Sequence, residues 1–304
     1  MTTPTARFSP RVALRAMRPH QWVKNAFVLI PAVFAGPELL AQGQWTPLLT
    51  VQVVLAALAF SLASSATYLL NDIHDIEADR RHPVKCKRPI ASGELPVKTA
   101  WTLFGALLVV ALAMGFWVRP SVAGIVVGYF LVNVAYSKGL KRLAYVDALI
   151  IALGFLLRLL AGGEAAQVHL SKWLITCTVL LALFLALGKR KHEVLTSHAG
   201  HRKSLERYRV EHLNFALGML AAATAGAYLA YTVDPSTRLR FHTESLPLTT
   251  PFGVFGLLRF YQLSDDLKVA SSPTDRMLRD PAFVINALIG AAVIVGLIYG
   301  VGGR

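Results

Sequence analysis

The residues best suited to chemistry stand at the end of a membrane-length uncharged stretch. There the chain reads Asn71-Asp72-Ile73-His74-Asp75-Ile76-Glu77-Ala78-Asp79-Arg80-Arg81-His82-Pro83-Val84-Lys85-Cys86-Lys87-Arg88-Pro89. Asp72, Asp75 and Asp79 are spaced i, i+3 and i+7, which a continuous helix would set on one face, with Asn71 beside Asp75. Such an oxygen-rich set suits Mg²⁺, which takes one or two carboxylates and completes its shell with water and phosphate. Asn71, Asp72, Asp75 and Asp79 are therefore the expected metal set. Lys85 and Arg88 follow closely enough to hold phosphate oxygens. The chemistry implied is the handling of a metal-bound diphosphate. A loop that merely marks a membrane edge would not need Asn-Asp at its helix end.

A second charged stretch follows another apolar run. It reads Gly188-Lys189-Arg190-Lys191-His192-Glu193 and then His201-Arg202-Lys203-Ser204-Leu205-Glu206-Arg207-Tyr208, with no Asp anywhere in 188–209. Lys189, Arg190, Arg202 and Lys203 are candidates for further phosphates, although basic residues also anchor helix ends at lipid headgroups. Inside a further apolar run, Asp147 and Arg158 are eleven residues apart, close to three helical turns, and so share a face. An arginine at that depth is costly unless it meets a cavity or a partner. The expectation is a polar cavity and an anionic group, against the alternative of an internal carboxylate. Tyr136, Ser137, Lys138 and Lys141 form a basic, hydroxyl-bearing turn suited to a sugar or phosphate. Near the start, Arg18-Pro19-His20-Gln21-Trp22-Val23-Lys24-Asn25 offers Lys24 and Asn25 to the same cavity, or else an amphipathic surface helix.

The elements that must position these groups are apolar helices. Hydrophobic residues make up 55% of the 304-residue chain, and the net charge is +14. Spanning-length runs fall near 23–37, 50–71, 99–118, 120–137, 143–163, 171–187, 211–232, 245–262 and 282–302. This predicts an all-α polytopic membrane protein of about nine transmembrane helices, in one domain over 1–304. Pro31 and Pro37 interrupt the first run. Residues 1–20 are rich in Arg and Pro without an apolar core, which is not a secretory signal pattern.

Arg7, Arg11, Arg15, Arg18 and Lys24 precede or open the first span. The connections at 72–98, 138–142, 188–209 and 263–281 carry most other cations. The positive-inside rule then puts the N-terminus and both charged loops in the cytoplasm; the expected location is the plasma (inner) membrane. Net basicity here reflects topology and anionic phosphates, not nucleic acid. Cys86 in a loop and Cys177 in a span do not suit a disulfide, and His74, His82 and Cys86 fit no structural zinc pattern. Small residues across 213–230 leave room for close packing within one chain or between copies in a homo-oligomer.

Asn71-Asp72-x-x-Asp75-x-x-x-Asp79, with about nine spans and an internal N-terminus, resembles the UbiA superfamily of intramembrane prenyltransferases over essentially the whole chain. Most members of that superfamily carry a second aspartate-rich motif in the loop matching 188–209, where this chain has none. Arg18-Pro19-x-Gln21-Trp22-Val23-Lys24-Asn25, His82-Pro83, Arg88-Pro89-Ile90-Ala91, Arg158 before Gly162-Gly163, Gly188-Lys189-Arg190 and Arg202-Lys203-Ser204-Leu205-Glu206 resemble the branch of decaprenyl-phosphate phosphoribosyltransferases. That resemblance implies a Mg²⁺-dependent transfer of 5-phosphoribosyl from 5-phosphoribosyl diphosphate to a polyprenyl phosphate lipid. Asp72, Asp75 and Asp79 would be catalytic, and the basic stretch would take the distal phosphate. Two alternatives stand beside it. One is a prenyltransferase acting on an aromatic or other small acceptor. The other is a phosphometabolite transporter, which would need a path through both faces although the outer connections are poor in charge.

Overall fold

The computed structural model describes residues 9–196, 205–266 and 272–300, and all regular structure among them is helical. The α-helices are α1 (Pro10–Met17), α2 (Ile30–Ala41), α3 (Pro47–His74), α4 (Ile76–Arg80), α5 (Val97–Val118), α6 (Pro120–Lys138), α7 (Val146–Ala166), α8 (Lys172–Thr196), α9 (Val210–Val233), α10 (Pro235–Phe241), α11 (Thr250–Asp265), α12 (Pro273–Met277) and α13 (Pro281–Gly300). Short 3-10 segments join them, the longest being Pro19–Val28.

Among the described residues, 7 helices are long and apolar enough to cross a membrane, or 8 if Pro19–Val28 and α2 count as one broken span. The count of nine is not reached. The run at 245–262 becomes a 3-10 turn followed by the 16-residue α11, about 24 Å long at 1.5 Å per residue. The break in the first run is a bend of 41°. Pro31 explains it, because proline removes a backbone donor and its ring clashes with the carbonyl four residues earlier.

The chain divides into two compact units. The first comprises residues 1–33, 46–137 and 157–169. Its central helix is α3, started by Thr46, whose side chain accepts from Leu49 N, and by Pro47 in the first turn. At 28 residues, α3 is about 42 Å long, well beyond a hydrocarbon core of about 30 Å. With that excess length, its last turns, with Asn71 and Asp72, need not lie within the apolar layer. Ala56, Ala59, Ala63, Ala66 and, on α5, Ala100 and Ala111 are fully buried. Small residues let helix backbones approach closely where lipid offers no hydrophobic drive. On α7, a Cβ at Gly162 would lie 2.0 Å from the Val28 carbonyl oxygen, so only glycine admits the 3-10 segment there.

The second unit comprises residues 34–45, 138–156 and 170–304. Here α8 and α9 form a helical hairpin, with α11 packed on both. Its core gathers Ala148, Phe184, Leu187, Leu205, Tyr208, Leu213, Leu217 and Phe260. A Cβ at Gly188 would sit 2.4 Å from the Phe260 ring, so glycine is what lets α11 meet the base of α8. Apolar side chains such as Phe215, Leu288 and Ile289 stay exposed, as lipid-facing surfaces require.

Candidate functional site

At the end of α3 the two buried carboxylates of the acidic motif converge. The backbone ladder runs on from Asn71 O to Asp75 N (2.9 Å) and from Asp75 O to Asp79 N (2.8 Å). Regular helix nevertheless stops at His74 and resumes at Ile76, with Asp75 as the junction (φ −96°, ψ 11°). The expected single face of three carboxylates is thereby interrupted. Asp72 and Asp79 are buried, whereas Asp75 is only half-buried. Arg88 Nη1 lies 3.1 Å from Asp72 Oδ1 and 2.6 Å from Asp79 Oδ2. Arg18 Nη2 lies 2.6 and 2.7 Å from the two oxygens of Asp72, and its guanidinium stacks 4.9 Å from the Tyr68 ring centre. Asn71 Oδ1 accepts from the Ser137 hydroxyl at the end of α6. Lys85 is exposed at the start of a 3-10 turn.

The two buried carboxylates admit a divalent cation. Among the described residues no three His, Cys, Asp or Glu side chains are gathered as a metal cluster. Two carboxylates do aim at one point, presently held by a single Arg88 nitrogen. Mg²⁺ needs no more than one or two protein carboxylates when phosphate and water supply the rest, so Asp72 and Asp79 fit it.

A buried polar network stands beside this site. Arg158 donates from Nε to Asn25 Oδ1 (2.7 Å) and from Nη2 to the Tyr129 hydroxyl (3.0 Å). Its guanidinium also faces the Tyr129 ring at 4.8 Å. Asn25 in turn donates to Ser61 Oγ at 3.0 Å. Trp22 Nε1 donates to Ser65 Oγ (3.0 Å), which donates to the Met17 carbonyl (2.8 Å). Arg158 is thus met by an amide and a phenol, and Asn25 is a structural clamp on α3. Lys24 is exposed and donates to Gln21 Oε1 at 2.6 Å. Arg18 itself has φ 56° and ψ 61°, a left-handed conformation costing a non-glycine residue about 1–2 kcal/mol.

In the second unit the basic stretch is partly helix. Residues 188–196 continue α8 instead of forming a loop. Lys and Arg are good helix formers, so charge alone did not end the helix. Arg190 is buried, with Nε 3.1 Å from Asp147 Oδ2. It also pairs with Glu193. Asp147 Oδ1 accepts from the Tyr208 hydroxyl, which itself accepts from Tyr145 N at 2.7 Å. Burial and the Asp147 bond push the Tyr208 hydroxyl pKa upward. Asp147 therefore serves Arg190, not Arg158 as the shared helix face had suggested. Lys191, fully buried, reaches Asp265 at 2.5 Å and faces the Tyr261 ring at 4.2 Å. Lys189 is half-buried, as are Tyr136 and Lys141, while Lys138 is exposed. Arg202 and Lys203 lie outside the described residues.

Sequence reasoning passed over Arg18, Tyr129, Ser61, Ser65 and Tyr208 as partners. The serines carried a signal, since 61 and 64–65 fall on one helix face within an apolar run. Tyr129 and Tyr208 carried none.

Residues 28–278 match the profile of the UbiA prenyltransferase family. The chain is 36% identical to decaprenyl-phosphate phosphoribosyltransferase of Mycobacterium tuberculosis, over 97% of this chain and 98% of that protein. It is 34% identical to the protein of the same name from Corynebacterium glutamicum, covering 94% of this chain and 86% of the other. Among solved structures, a UbiA homolog from Archaeoglobus fulgidus bound to GPP and Mg²⁺ superposes with a TM-score of 0.69 at 17% identity, covering 96% of this chain and 100% of that one.

Proposed function

Because the chain belongs to the UbiA prenyltransferase family, we propose that it transfers 5-phosphoribosyl from 5-phosphoribosyl diphosphate to a polyprenyl phosphate, releasing diphosphate. The observation that carries this reading is the 36% identity to a decaprenyl-phosphate phosphoribosyltransferase along nearly the full length of both chains. The family match crosses segments of both units, which supports treating 1–304 as one membrane-embedded transferase domain. Charge asymmetry supports a cytoplasmic N-terminus and a site on the cytoplasmic side of the plasma membrane.

On this reading Asp72 and Asp79 hold the donor's metal, with Asn71 and Asp75 adjacent to it. A bound Mg²⁺ would neutralise charge on the diphosphate. Arg88 and Lys85 stabilise the leaving group as negative charge builds on it. The bond from ribose C1 to the diphosphate oxygen breaks, and a lipid phosphate oxygen bonds to C1 from the opposite side. That oxygen is already ionised, so no strong general base is required. Lys189, Arg202 and Lys203 take the donor 5-phosphate or the lipid phosphate. Arg190, held by Asp147 and Glu193, orders the end of α8 that carries Lys189. Lys24, Tyr136, Lys138 and Lys141 contribute outer contacts to sugar or phosphate, and Arg158 with Asn25 braces the wall.

The test is incubation of the purified protein in detergent with radiolabelled phosphoribosyl diphosphate, Mg²⁺ and a polyprenyl phosphate. Label should enter the organic phase only when all three are present. No transfer there, together with prenyl transfer from labelled prenyl diphosphate to a small acceptor, would overturn the proposal.

A further inference from the structure

We propose that the second unit carries a site for one phospholipid with a primary-ammonium, zwitterionic headgroup, its phosphate on Arg240 and its ammonium on Glu38. The site is a pocket of about 420 Å³ lined by residues of α2, α10 and α13 and by His242. It adjoins α10, which follows the C-terminal end of α9. Helix α9 is 24 residues long, about 36 Å, so the pocket stands at the far end of the α8–α9 hairpin from Lys189 and Arg190. Its walls are fixed to one another. The Phe34 ring on α2 meets Phe241 on α10 edge-on, with 6.5 Å between centres. Phe241 and Ile298 of α13 are buried in one cluster. A Cβ at Gly36 would lie 1.9 Å from the Tyr299 hydroxyl, so glycine is what lets α13 close on α2. The pocket is therefore preformed, as is usual for ligand sites.

Position and surface make the occupant an amphiphile. Trp173, near the start of α8, donates its indole N–H to Asp234 at 3.0 Å, and Asp234 caps α10. Tryptophan gathers at the membrane–water boundary, so α10 lies at headgroup level, and charge asymmetry makes that boundary the outer one. Leu239 lines the pocket yet is 74% exposed, and Leu40 on α2 is 55% exposed. Acyl chains suit such a rim, as they suit any lipid-facing apolar surface.

Charge then selects the headgroup. Arg240 Nε lies 3.4 Å from Glu38 Oε2, and both side chains are well exposed. Glu38 Oε1 takes a 3.5 Å contact from Gln42. Both lengths exceed the range of about 2.7–3.2 Å for a well-formed N–H···O bond. Each group also keeps capacity to spare, because a guanidinium has several donors and a carboxylate several lone pairs. His242 adds a ring nitrogen to the same lining. A phosphate with an adjacent ammonium satisfies both charges without parting the pair. A purely anionic headgroup would meet the like charge of Glu38. A quaternary ammonium gives Glu38 no N–H, and it is otherwise held by a cage of aromatic rings. Among the lining residues Phe241 supplies a benzene ring, and it is 2% exposed.

The experiment is native mass spectrometry of the purified, delipidated protein. Phosphatidylethanolamine, phosphatidylcholine and phosphatidylglycerol of matched acyl chains are titrated separately. Wild type should hold one phosphatidylethanolamine about tenfold more tightly than either other lipid, the scale of a hydrogen bond to a charged group. Glu38→Gln should remove that preference and turn it toward phosphatidylglycerol, because the anion then meets Arg240 without the opposing carboxylate. Arg240→Gln should weaken all three lipids about tenfold or more. Soluble phosphoethanolamine at the same concentration should leave the bound lipid in place. Its displacing the lipid would make the headgroup alone the ligand and overturn the lipid assignment. A wild-type order that does not begin with phosphatidylethanolamine, or a preference unchanged in Glu38→Gln, overturns the proposal. If Arg240→Gln fails to fold, the change of preference in Glu38→Gln decides alone. Binding is read without donor or acceptor, so the result stands apart from the transferase reading.

Discussion

The acidic end of α3 and the base of α8 both pair arginine with aspartate, and they do so in opposite ways. At the end of α3 the carboxylates are buried, at 3% and 4% exposure, while Arg18 and Arg88 remain 22% and 28% exposed. At the base of α8 both members are buried, Arg190 at 3% and Asp147 at 0%. The first arrangement lets a carboxylate exchange its cation for another, because a departing arginine returns to water. The second does not, because either partner left alone is a charge stranded in a low-dielectric interior. Similar ion pairs thus mark a place built to open and a place built to stay shut. Lys191 shows the second principle from one side, with a buried ammonium set against the exposed carboxylate of Asp265.

Breaking the shut pair should have the largest effect on folding. Arg190→Ala strands Asp147 and should lower stability by about 3–5 kcal/mol, the cost of unpairing a buried charge. Arg18→Asn at the open site should cost about 1 kcal/mol or less, because Asp72 keeps Arg88 and a partly exposed pair is solvent-screened. Replacing both members, Asp147→Asn with Arg190→Met, should recover most of the loss. Denaturant unfolding of the variants in detergent reads all of this. Equal losses for Arg190→Ala and Arg18→Asn would break the contrast.

The open site should show its importance in rate. Asp72→Asn keeps the side-chain shape and removes one of two carboxylates aimed at the proposed metal. Activity should fall by more than about a hundredfold, beyond what losses outside the ligand set typically cost. That factor is about 2.7 kcal/mol of barrier. Apo melting should barely move, since Arg18 and Arg88 then face water. A variant with near wild-type turnover would remove Asp72 from the metal site. Asp75→Asn should lose less than Asp72→Asn, because Asp75 lies at the helix junction and outside the Arg88-bridged pair.

Much of the architecture was readable from composition, and the reasons mark where reading stops. Spanning-length apolar runs locate what lies in hydrocarbon, so α3, α5, α6, α7, α8, α9 and α13 were expected near their places. The same runs do not locate helix ends. Helix α8 continues through Gly188 to Thr196 because a helix persists beyond the membrane when its residues favour it. The i, i+3, i+7 spacing drew attention to Asp72 and Asp79, but spacing assumes an unbroken helix and could not register the junction at Asp75. Partners across the fold were the least legible. Arg158 advertised a buried charge, yet whether it met a phosphate, a carboxylate or the Tyr129 phenol depended on which helix packed beside α7. Arg18 was visible as part of a motif, while its left-handed backbone, which aims it at Asp72, is a tertiary property.

Arg158 offers a finer test, because it is buried like Arg190 and bonds the uncharged Asn25 and Tyr129. Arg158→Lys keeps the charge and loses the planar fork that reaches Asn25 and Tyr129 together. The expected loss is about 1.5–3 kcal/mol of apo stability, the range for hydrogen bonds to a charged group. Asn25→Ala should cost a similar amount, and the double variant should cost less than the sum, since the two share one bond. Strict additivity would show that the network is not coupled.

The smallest effect is expected where neither burial rule applies. Asp234 caps α10, accepting from Ser236 N at 2.9 Å and from Trp173 Nε1 at 3.0 Å. The Ser236 and Trp173 bonds hold its carboxyl at about 2, below the ordinary carboxylate value. A folded pKa below the unfolded one gives a contribution fully present above the unfolded value, about 3.9. That contribution is lost as pH falls through about 2. The site is water-exposed, so melting should shift only slightly across this window and not at all near neutrality. The sensitive readout is the Trp173 indole resonance in ¹⁵N-labelled protein, assigned with Trp173→Phe. Its pH midpoint should lie near 2 in wild type, and the titration should vanish in Asp234→Asn. A midpoint near 4 would mean that the cap bonds are not formed, and that an exposed carboxylate here gains nothing from its neighbours.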